Sequence, residues 1–517
     1  MASCRRRVVP IVVGGIGLLT DFYDFSVINL VRPILDDLYP GASASYDSMV
    51  TASSIVGSAC GMLVLGALAD VLGRRRLLLV SGGLTFLGAL GSALAFPVGH
   101  ASVWLTLCVW RFVMGVGIGG EYPLSASYTA EGSDAGASGW RLALVYSMMG
   151  VGQLLATLVV YACELARAPA EITWRLAFGL GAALSLFAIV LRYHAARDSD
   201  AFINARREAR AAEPAVAAGF PGAGGLVARV AAPVRRTLRT MCQYRRALLG
   251  TALGWLLYDV IDYGLGLYSS KIVSALGLDA GVGGPTRAVL VVQLVGFPGY
   301  FASIWLVPRL GRRATQLAGA AGMLSVYVAL AVGYDAIAAS PALFITLFGL
   351  QLLCDNAGPG ATTYVIPGEI YPTSVRATCH GLSAGCGKLG AALGAYAFNW
   401  LLDEHRGLGV RSTFGCTAVV AAALLALTLA ATPRYDDETL RHLDGAHRSG
   451  LAAKLLYEPS AYFDGEARAR CEDSGRLGLL DPAAPNINSA AAVQPVAEPH
   501  VTHVDNYDAT PRIEQYQ

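Results

Sequence analysis

Apolar stretches long enough to cross a bilayer recur from about residue 8 to residue 431, separated by short loops that carry arginines. A hydrocarbon layer about 30 Å thick takes about 20 apolar residues in a helix. Backbone polar groups must pair within such a segment, so the expected element is helix and the expected fold is an all-α membrane protein. Twelve spans are read, at roughly 8–35, 47–69, 77–96, 102–128, 140–162, 174–192, 247–274, 286–308, 314–334, 341–366, 376–402 and 411–431. Composition agrees: 15% of the 517 residues are charged, against about a quarter in soluble domains. The chain opens on Arg5-Arg6-Arg7 and then turns apolar, as a signal peptide does. The run from Val8 to Ile34 is too long for one, contains Asp21 and Asp24, and lacks a small-residue cleavage site. It is read as the first permanent helix.

Six spans precede residues 193–246 and six follow, giving two six-helix halves, 1–192 and 247–432, around a hydrophilic loop. That loop holds ten arginines from Arg197 to Arg246 against four acids, while Asp36, Asp37, Glu164, Glu171, Asp279, Asp335, Asp403 and Glu404 lie in loops of the other side. The positive-inside rule then puts the loop and both termini in the cytoplasm. Sidedness does not name the membrane; a plasma membrane is the expectation. Residues 433–517 are polar and rich in proline and asparagine, and are read as a disordered cytoplasmic tail. The ten cysteines show no CxxC or Cys/His spacing, so neither a disulfide framework nor a metal site is expected. The halves resemble each other: Gly66-Ala-Leu-Ala-Asp70-Val-Leu-Gly73-Arg74 closes the second span, and Leu306-Val-Pro308-Arg309-Leu-Gly311-Arg312 closes the eighth. Such repeats are the ground plan of secondary transporters, whose site lies at the midplane between halves.

Ionisable residues inside a bilayer are costly and usually mark a pathway. Here they are Asp21, Asp24, Glu121, Asp259, Asp262, Asp355, Arg111 and Lys388. Trp255, Asp259 and Tyr263 are spaced i, i+4, i+8 and share one helix face. An indole N–H and a phenol O–H are donors, as an oxyanion requires. A carboxylate would repel phosphate, whereas a protonated Asp259 would donate to it, so proton and anion would favour each other's binding. Structural pairing or ordinary aromatic packing is the bland alternative at each single position.

The Gly66–Arg76 segment resembles the loop signature of the major facilitator superfamily, and Arg111-Phe-Val-Met-Gly115-Val-Gly117 resembles its fourth-helix motif. Thr20-Asp21-Phe-Tyr-Asp24, Gly119-Gly120-Glu121-Tyr122-Pro123, Trp255 to Tyr263, Asn356 to Pro372 and Arg376 to Lys388 resemble the phosphate:proton symporter family. The resemblance implies that Tyr122, Trp255, Asp259 and Tyr263 contact phosphate with Lys388 nearby. It implies that Asp21, Asp24, Arg111, Glu121 and Asp259 serve the proton path, and that Gly66, Asp70, Gly73 and Arg74 form a gating motif. The chain departs from the family at Met149, where a binding glutamine is usual, and at Gly360, where an asparagine is usual. Gln153, one turn after Met149, is the expected substitute. Asp262 and Asp355 are added acids, so a roomier, more acidic cavity is expected. The resulting reading is a proton-coupled symporter of inorganic phosphate, with inorganic phosphate or a related anion, protons and the lipid bilayer as partners. A carrier of a phosphate ester such as a glycerophosphodiester, or of another organic ion, is the first rival; a non-transporting phosphate receptor is the second. No P-loop, nucleophile elbow or metal cluster points to an enzyme, a cofactor or a nucleic-acid partner.

Overall fold

The structure, a computed structural model, describes residues 2–39, 44–97, 102–133, 137–211, 235, 237–274, 284–402, 409–448 and 451–458. All regular structure among them is helical. The first half comprises α1 (Ala2–Leu38), α2 (Ala44–Leu72), α3 (Arg74–Ala93), α4 (Val103–Glu131), α5 (Ser138–Leu165) and α6 (Ala170–Ala195), followed by the polar α7 (Asp200–Ala211). The second comprises α8 (Arg245–Ser274), α9 (Gly284–Leu310), α10 (Arg312–Val332), the short α11 (Tyr334–Ala338), α12 (Pro341–Ala357), α13 (Pro359–Ile370), α14 (Arg376–Leu401) and α15 (Gly409–Ala431).

Ten spans are long and apolar enough to cross a membrane, counting α12 and α13 as one. The two further long helices, α8 and α14, carry Asp259, Asp262, His380 and Lys388, and this polar content is what lowers their hydropathy. Large apolar side chains point outward along the spans, among them Phe187, Trp305 and Val419, as lipid contact requires.

Helix pairing repeats between the halves. In the first half α1 packs on α5 and α6, α2 on α4, and α3 on α4 and α6. In the second, α8 packs on α14 and α15, α9 on α12, and α10 on α12 and α15, the same scheme displaced by six spans. The seam between halves is α2 against α14 and α5 against α9, which is again one contact repeated. A single separation of 238 residues (259 less 21) also relates Gly73 to Gly311, Arg74 to Arg312 and Glu131 to Glu369. Gly73 (φ 106°) and Gly311 (φ 83°) both hold the left-handed backbone that reverses the chain between paired spans, a conformation open to glycine.

Two sequence expectations need amendment. The tenth span is not one helix: it breaks at Gly358-Pro359, because Pro359 has no N–H to continue the α12 ladder and starts α13 at its first turn. Nor is the chain irregular throughout 433–517. Residues 437–448 (α16) and 452–457 (α17) are helical, and Leu443, Ala446, Leu455 and Leu456 are buried against Tyr244, Ile370 and Tyr371. The remainder of that expected tail, 459–517, lies outside the described residues, as does most of 212–236 in the central loop.

Candidate functional site

The seam encloses a cavity of about 100 Å³ at the middle of the bundle, with Phe22, Tyr122 and Gln153 on one side and Trp255, Asp259, Tyr263 and Lys388 on the other. All six residues expected at a substrate site therefore line one space, contributed by both halves. Lys388 is buried on α14 and donates from Nζ to Asp259 Oδ2 at 3.0 Å and to the Tyr263 hydroxyl at 2.6 Å. It also lies 4.2 Å from the Tyr263 ring centroid and 5.6 Å from that of Tyr122. Tyr122 and Trp255 approach across the seam at 6.1 Å, and Phe25 meets Tyr263 edge-on at 5.6 Å. A buried ammonium is stable here because a carboxylate and two rings share its charge.

Met149 and Gly360 line the same cavity, so the two departures from the family do fall at the site. The expected enlargement does not follow at Gly360. A Cβ there would run into the Tyr146 hydroxyl and approach Tyr258, so a tyrosine occupies the room that glycine leaves. Gln153 reaches the cavity and accepts from the Tyr300 hydroxyl at 3.3 Å. Tyr146, Tyr258 and Tyr300 were not singled out from sequence, where buried tyrosines are indistinguishable from packing.

Of the residues expected on a proton path, Asp259 lines this cavity, whereas Asp21, Asp24, Arg111 and Glu121 lie apart from it, within the first half. Glu121 is buried and forms an ion pair with Arg192 of α6, and also accepts from Ser81 Oγ at 2.9 Å. Arg192 donates further to the carbonyls of Val13 and Leu78. Gly17 of α1 lies against this pair, where any side chain would collide with it, and Asp21 follows one turn later. Arg111 holds the backbone carbonyl of Asp24 at 2.8 Å and Ser54 Oγ at 3.2 Å, rather than the Asp24 carboxylate. One oxygen of Asp21 and one of Asp24 are buried without a hydrogen-bond partner, which leaves both carboxyls available to a proton. Arg192 was missed because it sits among flanking arginines at the end of a span; the signal was Glu121 itself, since a buried carboxylate requires a base.

The residues expected to form a gating motif make contacts between the halves. Asp70 accepts from the Thr378 N–H at 2.8 Å, the Thr378 hydroxyl at 2.6 Å and the Ala377 N–H at 3.3 Å, all at the N-terminus of α14. Arg74 pairs with Asp70 at 2.9 Å and with Glu131 at 2.8 Å, and donates to the Thr373 carbonyl of the other half. Gly66 is where α2 touches α14: a Cβ would lie 2.9 Å from the Ala377 carbonyl oxygen. The second copy has Pro308 in place of Asp70, yet its arginine is fully engaged. Arg312 grips Glu369 with two hydrogen bonds of 2.7 and 2.8 Å, Glu369 accepts from Ser138 at the start of α5, and Asp437 of α16 adds a second acid at 2.6 Å from Arg312.

Comparison with known proteins agrees with this architecture. Residues 11–444 match the family described as Sugar (and other) transporter. The chain is 33% identical over 438 residues to "Inorganic phosphate transporter 1-11" of Oryza sativa subsp. japonica, covering 76% of this chain and 79% of that one. It is 33% identical over 437 residues to "Low affinity inorganic phosphate transporter 4" of Lotus japonicus, covering 75% and 82%. Among solved structures it is similar to the proton:xylose symporter XylE of the major facilitator superfamily, with TM-score 0.67 at 19% identity over 87% of this chain and 98% of that one. A twelve-span bundle of two repeated halves, a polar cavity on the seam and these relatives lead to one statement: the chain is a transporter of the major facilitator superfamily and belongs to its phosphate transporter family.

Proposed function

We propose that this chain is a proton-coupled symporter of inorganic phosphate working by alternating access. The observation that carries the reading is Lys388 bound between Asp259 and Tyr263 in a cavity shared by both halves. While Asp259 is ionised it holds the lysine. Protonation removes that attraction and frees Nζ for an anion, and the neutral acid becomes a donor instead of a repelling charge. Tyr122, Trp255 and Tyr263 supply further donors, and Gln153 a fourth polar group. Release of the Asp70 and Glu369 contacts at the arginine-rich face would open the cavity to that side, and their re-formation would close it. Asp21, Asp24, Arg111 and Glu121 are read as the route by which protons pass the first half. The arginine bias supports placing that face and both termini in the cytoplasm, and the proposed membrane is the plasma membrane.

Importing an anion against an inside-negative potential costs about 2.3 kcal/mol per charge per 100 mV, so co-transported protons must at least offset it. The test is phosphate uptake by purified protein in liposomes under an imposed pH gradient. Asp259→Asn, which cannot exchange a proton, is expected to abolish uphill accumulation. Wild-type accumulation by that variant, or uphill uptake surviving collapse of both the pH gradient and the potential, would remove proton coupling.

A further inference from the structure

Beside the Lys388 cavity lies a second of about 110 Å³, which shares Gln153 and Asp262 with it as lining. Its chemistry is the opposite. Asp262 and Asp355 both line it, and Lys388 is the one Lys or Arg among the described residues that line either space. Lys388 is already held by Asp259 and Tyr263, so it does not neutralise the added pair. Asp355 is 2% exposed and its Oδ1 has no hydrogen-bond partner. It sits two residues before the end of α12, the negative end of that helix dipole, where Pro359 prevents continuation of the helix. Broken-helix C-termini of this kind suit cations. Tyr146, Tyr258 and Tyr300 line the Lys388 cavity together with Asp262, with Tyr146 and Tyr300 ring centroids 5.3 Å apart, and Tyr327 lines the acidic one.

We propose that the acidic compartment binds an ammonium group tethered to the phosphate, so that the preferred cargo is a phosphate ester of an amino alcohol. The proposal rests on the transport reading above and deepens it. Two carboxyl groups beside a bare phosphate dianion oppose its binding, whereas a zwitterion places its anion at Lys388 and its cation at Asp262 and Asp355. Tyrosine rings add the face that ammonium groups prefer. Glycine at the family's asparagine position is what lets the Tyr146 hydroxyl lie against Gly360.

The experiment uses the full chain in liposomes with a pH gradient and measures uptake of inorganic phosphate, phosphoethanolamine and its amine-free analogue hydroxyethyl phosphate. The expected result is a preference of about tenfold or more for the amine ester over its analogue, the scale of one well-placed charged contact. In Asp262→Asn and in Asp355→Asn that ratio is expected to fall toward one. The wild-type ratio stands as a test even if a variant fails to fold. Equal uptake of the two esters overturns the inference while leaving phosphate transport intact. A preference that survives both substitutions overturns the assignment to these carboxyls. Sodium or potassium stimulation of phosphate uptake that is lost in the variants, with no amine preference, assigns the compartment to a free cation and overturns the tether. Amine-ester uptake without phosphate uptake supports the inference and refutes inorganic phosphate as cargo.

Discussion

In the proposed cycle two sets of contacts at the arginine-rich face act as latches, and they differ in strength in a way that can be measured. Asp70 makes three contacts across the seam to the start of α14, at 2.6, 2.8 and 3.3 Å, and its side chain is 6% exposed. Hydrogen bonds to a charged group contribute about 1.5–3 kcal/mol each, and the helix N-terminus adds about 0.3–1 kcal/mol. Asp70→Asn removes the charge and turns one acceptor into a donor facing N–H groups, so a loss of about 3 kcal/mol is a conservative estimate for the closed state. That shifts the closed-to-open ratio by about 150-fold. The second latch crosses the seam mainly through the Ser138 hydroxyl to Glu369 at 2.5 Å. Ser138→Ala removes that single bond to a carboxylate, about 1.5 kcal/mol or roughly a tenfold shift. Spin labels at Arg76 and Ala314, both exposed and in opposite halves beside the two latches, report the distance across this face by pulsed electron resonance. Asp70→Asn is expected to transfer most molecules from a short-distance to a long-distance population, and Ser138→Ala only a minority. Equal shifts from the two substitutions, or none from Asp70→Asn, would refute the reasoning.

Other expectations follow from the same contacts. Gly360→Asn, which restores the family residue, should weaken uptake of any cargo, since its side chain meets the Tyr146 hydroxyl; adding Tyr146→Phe should recover part of the loss, and improvement by Gly360→Asn alone would contradict the packing. Asp437→Ala should lower stability by about 1 kcal/mol at most, because the Asp437 side chain is 36% exposed. Glu369→Gln should cost about 3–5 kcal/mol by leaving Arg312 buried beside a neutral partner. Thermal unfolding in detergent ranks the two, and a larger effect at Asp437 would show that α16 carries the clamp.

What the sequence made legible was whatever depends on local pattern. The spans follow from unbroken apolar length, and the Trp255, Asp259 and Tyr263 face follows from helical spacing, so both were available before any coordinates. The Lys388 partnership was within reach because a lone lysine in an apolar span has few places to go. Pairings that depend on how helices lie were hidden. Arg192 reads as one more flanking arginine until its side chain is seen to reach Glu121 of α4, and Arg312 and Glu369 are 57 residues apart with nothing local to join them. The α16 helix was concealed for another reason: it is too polar to read as a span. Its signals are weak but present, since Asp436 accepts from the Thr439 N–H at 2.8 Å as a helix cap and Leu440 and Leu443 share a face.

The repeat explains why a site built from two similar halves is chemically lopsided. Asp21, Asp24 and Phe25 of α1 stand 238 residues before Asp259, Asp262 and Tyr263 of α8 (259 less 21), and Phe25 meets Tyr263 across the seam. The partners have diverged. The counterpart of Lys388 on α5 is Gly150, and α5 has no basic residue after Arg141, so the first-half acids have no base from that helix. Their neighbourhood is served by Arg111 and Arg192 of their own half, and neither Asp21 nor Asp24 lines the cavity. Conversely, the counterpart of Tyr122 is Gly360, and that of Asp70 is Pro308. Each half thus lacks at the equivalent position what the other supplies: the second half brings the lysine, the first brings the tyrosine over it. Two identical half-sites would face a cargo with the same charge on both sides. Divergence leaves one pair of carboxyls sealed in the first half, close to a buried ion pair and free of the cargo. It leaves the other pair in the cavity, where their charge acts directly on what is carried. On the proposed reading the first copy of the motif handles protons alone, while the second, through Asp259, joins proton to cargo.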